Sequence, residues 1–342
     1  ISDGVLSRVN PRHKPTIGRE FAHTSMADLA RVVLQASGRR ATGGAAAVVE
    51  MALHSTSDFP AILGDVVNRT MLDGYEQGRS QLMQASREVT AMDFRSIHAL
   101  RVSTGSQLEV VNEAGEFKSG TIEEGDESFG LKTYGKVFGI TRQALVNDDL
   151  GVFSNLAPVL GQGAAYTEAK LFAELLEQNA GSGPTMKDGK ALFHADHKNL
   201  GTGSAISIAA LAEARTAMRR QKGLSGEAIN VTPAFLVVPP ELETTAEQLI
   251  AEITAAEASQ VNPFAGRLTL LVDANLTDPA RWYLSAGPGR PDGLQHAYLD
   301  GQRGPQVFTQ EGFEVDALQF KVRLDFGAGF VDHRAWFMNP GA

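Results

Sequence analysis

Leu145-Val-Asn-Asp-Asp-Leu150 and Leu192-Phe-His-Ala-Asp-His-Lys-Asn-Leu200 bracket the stretch that decides the fold. Between them, from Asp149 to about Gln178, the residues Leu156, Leu160, Ala164, Leu171, Phe172, Leu175 and Leu176 mark one face of a helix. At ~1.5 Å per residue such a helix reaches about 40 Å. Pro158 lies within the pattern. It either bends the helix or marks its true first turn, because proline cannot donate to the turn before it. The segment Ala180–Gly189 then reads as a loop.

Working back toward the N-terminus, Ser25-Met-Ala-Asp28 is a capping box that opens a short helix through about Gln35. Gly38, Gly43 and Gly44 interrupt it. Ser57-Asp-Phe-Pro60 opens a second helix to about Tyr75, with Pro60 at the favoured first position. Ile62, Leu63, Val66, Val67 and Met71 form its apolar face. Residues 98–142 change to alternating, strand-like patterning, with a turn at Glu113-Ala-Gly115 and an acidic bend around Gly125. A ribbon this long has too few apolar residues for a core of its own and is expected to lie on something else.

Working forward, Ile206–Gln221 and Leu242–Ser259 read as helices, and Ala234–Pro240 as a buried strand ended by prolines. Leu268–Val272 and Trp282–Ser285 are further strands. Near the end Phe320, Val322 and Leu324 alternate with Lys321, Arg323 and Asp325, which gives a strand with one polar face.

The chain has 342 residues, 43% of them hydrophobic and 21% charged, as expected for two or three globular domains. With no cysteine it can form neither a disulfide nor a thiolate metal site, which fits a reducing cytoplasm. No run of eighteen apolar residues occurs, so no membrane span is expected. The net charge of −9 argues against a dedicated nucleic-acid binder. Residues 1–40 nevertheless hold seven basic groups against three acids, a local +4 that leaves −13 on the remainder. Arg8, Arg12, Lys14 and Arg19 are the basic contacts expected of this arm, toward nucleic acid or an acidic neighbour.

Two motifs invite an enzymatic reading. His194-Ala-Asp-His197 offers two imidazoles and a carboxylate, but its spacing of three misses the i, i+4 pair of a helical zinc site, and no distant third ligand is apparent. Gly181-Ser-Gly-Pro-Thr-Met-Lys-Asp-Gly-Lys190 superficially resembles a phosphate loop. It has Pro184 where glycine is required, and Ala191 where a hydroxyl should bind Mg²⁺. The expectation is therefore no catalytic, cofactor-binding or metal-binding residue, with a soluble α/β metal- or nucleotide-dependent enzyme as the alternative.

The order of parts resembles the tailed-phage major capsid proteins with the fold of bacteriophage Hong Kong 97 (the HK97 fold). Gly139-Ile-Thr-Arg-Gln-Ala-Leu-Val-Asn-Asp-Asp-Leu150 resembles that family's passage from hairpin to spine helix. Leu192–Leu200 is similar to its entry into the A-domain. Glu311–Asp325, followed by Gly327-Ala-Gly-Phe-Val-Asp-His-Arg334, looks like its closing strands. The particular variety resembled is the Mu-like head subunit, encoded fused behind a prohead protease.

The resemblance implies an α+β fold in four parts: an N-terminal arm with short helices (1–84), an E-loop β-hairpin (85–142), a P-domain with spine helix and closing strands (143–183 and 301–342), and an α/β A-domain (184–300). It implies a shell subunit forming hexamers and pentamers around double-stranded DNA, in a virion capsid assembled in the host bacterial cytoplasm. Its partners would be itself, the portal, decoration proteins and nonspecifically packaged DNA. Glu109, Glu113, Glu116, Lys118, Glu123, Glu124, Asp126 and Glu127 of the hairpin would then dock on an adjacent subunit, giving register more than affinity.

Overall fold

The computed structural model describes every residue except 11–12, 56–57, 103–123, 148–154, 252–263, 265, 290 and 312–316. In chain order the first elements are helices α1 (Ser2–Val9), α2 (Met26–Ala36), α3 (Ala45–Ser55) and α4 (Asp58–Gly78). Strands β1 (Ser86–Ala91), β2 (Ile97–Val102), β3 (Glu124–Phe129) and β4 (Lys132–Thr141) follow, then helices α5 (Arg142–Val146), α6 (Ala157–Gly181) and α7 (Ile208–Arg219). The remainder is β5 (Phe235–Val238), α8 (Glu243–Ile250), β6 (Thr269–Val272), β7 (Trp282–Ser285), β8 (Leu294–Leu299), β9 (Gln306–Glu311), β10 (Ala317–Phe330) and β11 (Trp336–Asn339). The α+β class is as expected.

The contacts divide the chain into two units. The first comprises Ile1–Arg79, Thr133–Thr167 and Arg303–Asp325. The second comprises Ser80–Lys132, Glu168–Gln302 and Phe326–Ala342. The boundaries of these units do not follow those of the four parts expected from the resemblance: they fall inside the hairpin, at Lys132/Thr133, and inside both pieces of the P-domain, at Thr167/Glu168 and Asp325/Phe326.

In the first unit, helices α1 to α4 pack together. Val5, Leu6, Leu29, Leu34, Val48, Val49, Phe59, Leu63 and Met71 share one apolar cluster with Ile140, Leu145, Leu318 and Phe320. Local sequence sets the ends. Ser25 is the N-cap of α2: it accepts from Asp28 N, and its hydroxyl donates to the Asp28 carboxylate at 2.7 Å, a bond between side chains where a capping box has one to the backbone. Pro60 lies in the first turn of α4 but two residues past its start, not at the first position. Helices α4 and α6 meet through small residues. A Cβ added to Gly74 would come within 2.3 Å of Pro158 O, and one added to Gly161 within 1.9 Å of Met71 O. Strand β9 pairs antiparallel with residues 318–323 of β10, β4 lies beside β10, and Phe138 stacks on Phe320 at 5.1 Å.

Two expectations are corrected here. The spine helix begins at Ala157, so Pro158 marks its first turn, and the regular helix ends before Gln178, shorter than about 40 Å. Asp325 does not lie on a solvated face. It is buried and accepts from Thr133 Oγ1 at 2.6 Å, with Arg323 Nε at 3.2 Å from its other oxygen.

In the second unit, β1 pairs parallel with β8, and β8 pairs antiparallel with residues 326–330 of β10. A four-stranded sheet runs β11-β7-β5-β6 and carries its own cluster of Leu211, Met218, Leu236, Val238, Trp282, Leu284 and Phe337. At each edge of this sheet a backbone group is engaged from outside. Beyond β11, Met338 N donates to Asn199 O at 2.9 Å and Gly201 N donates to Met338 O at 2.8 Å. Beyond β6, Val272 N donates to Gln81 Oε1 at 3.3 Å. Strands β2 and β3 form a separate antiparallel ribbon in register from Ile97↔Phe129 to Val102↔Glu124. Gly125 lies within β3 opposite Arg101, so the bend expected there is a paired strand.

Candidate functional site

The ribbon is the feature whose placement bears most directly on function. Its root is apolar. Phe129, Leu131, Ala91, Ala297 and Val331 cluster, with Ile97 and Ala99 packed against them. Gly329 of β10 allows this approach, because a Cβ there would meet Phe129 Cβ at 2.4 Å. One step outward the contacts become ionic. Asp126 accepts from Lys187 Nζ at 3.0 Å and faces His98 Nδ1 at 3.1 Å. Hydrogen bonds from Lys187 and then His98 hold the Asp126 carboxyl below the usual carboxylate range. Glu127 accepts from the backbone N–H of Lys187 at 3.1 Å. The carboxylates of Asp126 and Glu127 are thus engaged inside the subunit, on the loop that follows α6.

Of the other expected hairpin residues, Glu109, Glu113, Glu116, Lys118 and Glu123 lie outside the described residues, and Glu124 ends the ribbon opposite Val102. In the arm, Arg12 lies outside the described residues. Arg8 donates to Thr24 O and Arg19 Nε donates to Pro15 O at 3.1 Å, while Lys14 is exposed. Asp3, missed by sequence reasoning, organises this region. Its carboxylate accepts from Thr16 N at 2.7 Å and Ile17 N at 3.1 Å, and it pairs with His13. The Ile17 N–H first, and His13 second, hold its carboxyl far below the usual range.

The loop after α6 begins with Asn179 and Ala180 in the left-handed region, which breaks the helix, and Asn179 Nδ2 donates to Gly183 O at 2.8 Å. The segment is a helix-terminating turn. Within it His197 is buried, with Nδ1 3.0 Å from Leu192 O and Nε2 2.7 Å from Asp188 Oδ2. Burial raises the Asp188 carboxyl, but hydrogen bonds from His197 and Lys190 N outweigh it and leave it lowered. His333 stacks on His197 at 3.9 Å with 8° between the rings. Asn199 joins the same node, donating to Leu192 O and His333 O. His194 accepts from Asp196 N at 3.1 Å and caps a short 3-10 turn.

A second polar group went unnoticed in sequence. Glu168 is fully buried on α6 and accepts from Tyr298 OH at 3.1 Å. Ser86 Oγ lies 2.8 Å from Nδ1 of buried His296. No sequence signal marks a core glutamate.

Among the described residues no three His, Cys, Asp or Glu side chains converge as a metal site, and no helix is long and apolar enough to cross a membrane. The side-chain networks hold loops and the ribbon in place, as in a building block. The chain belongs to the phage capsid protein family, whose model matches residues 125–339. Its function is that of a structural protein, a tailed-phage major capsid protein that self-assembles into shells. The metal- or nucleotide-enzyme alternative finds no support there.

Solved structures agree in fold. The capsid of Ralstonia phage GP4 is 13% identical with a TM-score of 0.52, over 75% of this chain and 88% of that one. Microbacterium phage Oxtober96 is 8% identical with a TM-score of 0.51, over 77% and 91%. The capsid of Cyanophage P-SCSP1u is 11% identical with a TM-score of 0.51, over 78% and 89%. No curated protein matches the chain.

Proposed function

We propose that the subunit forms hexamers and pentamers of an icosahedral shell that encloses double-stranded DNA and is assembled in the host cytoplasm. Its role is architectural, without a catalytic step. The observation that carries the reading is the β2–β3 ribbon. Two strands cannot support a core, and the acidic residues 109–123 continue beyond a root that is already fixed within the subunit. Those acids, with Lys118, are the group left to dock on a neighbour. The arm residues Arg8, Arg12, Lys14 and Arg19 face the lumen or an adjacent subunit, and their contact with DNA is nonspecific and salt-sensitive. Portal and decoration proteins are the remaining partners. Kinship with Mu-like head subunits belongs to the same proposal and rests on Gly139–Leu150 and Leu192–Leu200.

The test is negative-stain microscopy and mass photometry of the purified chain. Capsomers or closed shells are expected. Monomer alone under every assembly condition refutes the proposal.

A further inference from the structure

Helix α6 carries a glycine that its own subunit does not explain. Gly161, on the inner face, is required because Met71 O would lie 1.9 Å from an added Cβ. Gly163 has no neighbour within 4 Å of where its Cβ would stand. A glycine inside a helix gives up backbone entropy, and its usual compensation is the close approach of another backbone. Here nothing among the described residues approaches.

The surroundings of Gly163 are as unusual as its emptiness. Val159 and Tyr166, four residues before and three after, share its face and are 59% and 57% exposed. From Ala157 to Thr167 the helix carries no charged residue, in a chain in which 21% of residues are charged. The next exposed charges, Lys170 and Glu174, pair with each other at 3.7 Å. The outer face is therefore a neutral notch between two apolar side chains.

We propose that this face is a two-fold contact in which α6 of one copy crosses α6 of a second copy, antiparallel, with Gly163 on the axis. Residues near a two-fold axis meet their own symmetry mates, so a charge there would oppose its own sign. A charge-free segment satisfies that condition. In an antiparallel crossing at Gly163, Tyr166 of one copy lies beside Val159 of the other, so a large side chain meets a smaller one on both sides of the notch. Icosahedral shells contain two-fold axes where such contacts belong. The inference rests on the shell-forming reading above and adds a surface that reading does not name.

The absence of cysteine makes the test clean. Gly163→Cys places one thiol per subunit, and only a position near a symmetry axis can join two such thiols. Shells of this variant are oxidised with copper phenanthroline and run on a non-reducing gel. A dimer band that appears on assembly and is missing from dissociated subunits is expected. Shells that give monomer only, or whose thiol is freely alkylated, overturn the proposal. If the new side chain blocks assembly, the double variant Val159→Cys, Tyr166→Cys takes its place. Dimers support the two-fold crossing, whereas a ladder of longer oligomers indicates a head-to-tail contact and overturns it, as does monomer alone. Failure of the unsubstituted chain to form particles is a failure of the shell reading, and it is seen before any cysteine is introduced.

Discussion

The same substitution at two positions of α6, two residues apart, should move stability in opposite directions. At Gly163 an added methyl meets nothing within 4 Å, so Gly163→Ala gains the helix propensity difference of about 0.8–1.0 kcal/mol without a steric cost. At Gly161 the same methyl would lie 1.9 Å from Met71 O and 2.7 Å from Tyr75 N, both backbone atoms. A carbon–oxygen contact needs roughly 3.3 Å, so α4 and α6 must separate by about 1.4 Å locally. Overpacking of that size costs about 3 kcal/mol, which the ~1 kcal/mol propensity gain only partly offsets. The net is a loss of about 2 kcal/mol. With roughly 2–4 °C per kcal/mol for domains of this size, the Gly161→Ala subunit should melt ~4–8 °C lower and the Gly163→Ala subunit ~2–4 °C higher. Differential scanning calorimetry on unassembled subunits measures both. Shifts of the same sign would refute the close α4–α6 contact.

Replacing residues 103–123 by Asn-Gly, which closes β2 on β3 with a tight turn, should leave a folded subunit that forms no shells. Normal particles from that deletion would remove the ribbon from the assembly mechanism. His194→Gln should change stability by less than about 0.5 kcal/mol, because the side chain is part-exposed and makes one capping bond. His197→Ala should cost about 1–3 kcal/mol, because it strips partners from buried Leu192 O and from Asp188. Equal effects in urea titrations of the two variants would contradict the node. Asp126 has its carboxyl lowered by Lys187 and His98, so its contribution is complete above the unfolded value of about 3.9 and is lost only as pH falls through the lower folded value. Amide exchange in residues 124–129 should therefore stay slow at about pH 4, and ribbon release near pH 5 would count against the contact.

The sequence was most legible where local and global signals agree. Ser25 and Asp28 announce α2, and unbroken apolar runs announce β5 and β7, because both patterns act within a few residues. It was opaque where burial depends on partners far along the chain. Helix α3 follows Gly43 and Gly44 and carries no capping signal, yet Val48, Val49 and Ala52 are fully buried. Strand β8 includes Gln295 and His296, polar residues that are buried, with Ser86 of a distant strand 2.8 Å from His296 Nδ1. On α6 Phe172 and Leu176 of the expected stripe are fully buried, but Leu160, Leu171 and Leu175 are only half-buried, and Gly161, Ala165, Ala169 and Ala173, which the stripe did not include, are buried too. Glu168 was unreadable for the converse reason, an acid whose partner Tyr298 lies 130 residues away.

The engaged edges of the β11-β7-β5-β6 sheet have a consequence for polymer growth. An open strand edge is a template on which identical chains add without limit, and such a fibre would drain subunits from any finite particle. Asn199 and Gly201 occupy the backbone partners beyond β11, and Gln81 does so at Val272 beyond β6. Strand addition at these two edges is thereby hindered in a molecule that associates in many copies.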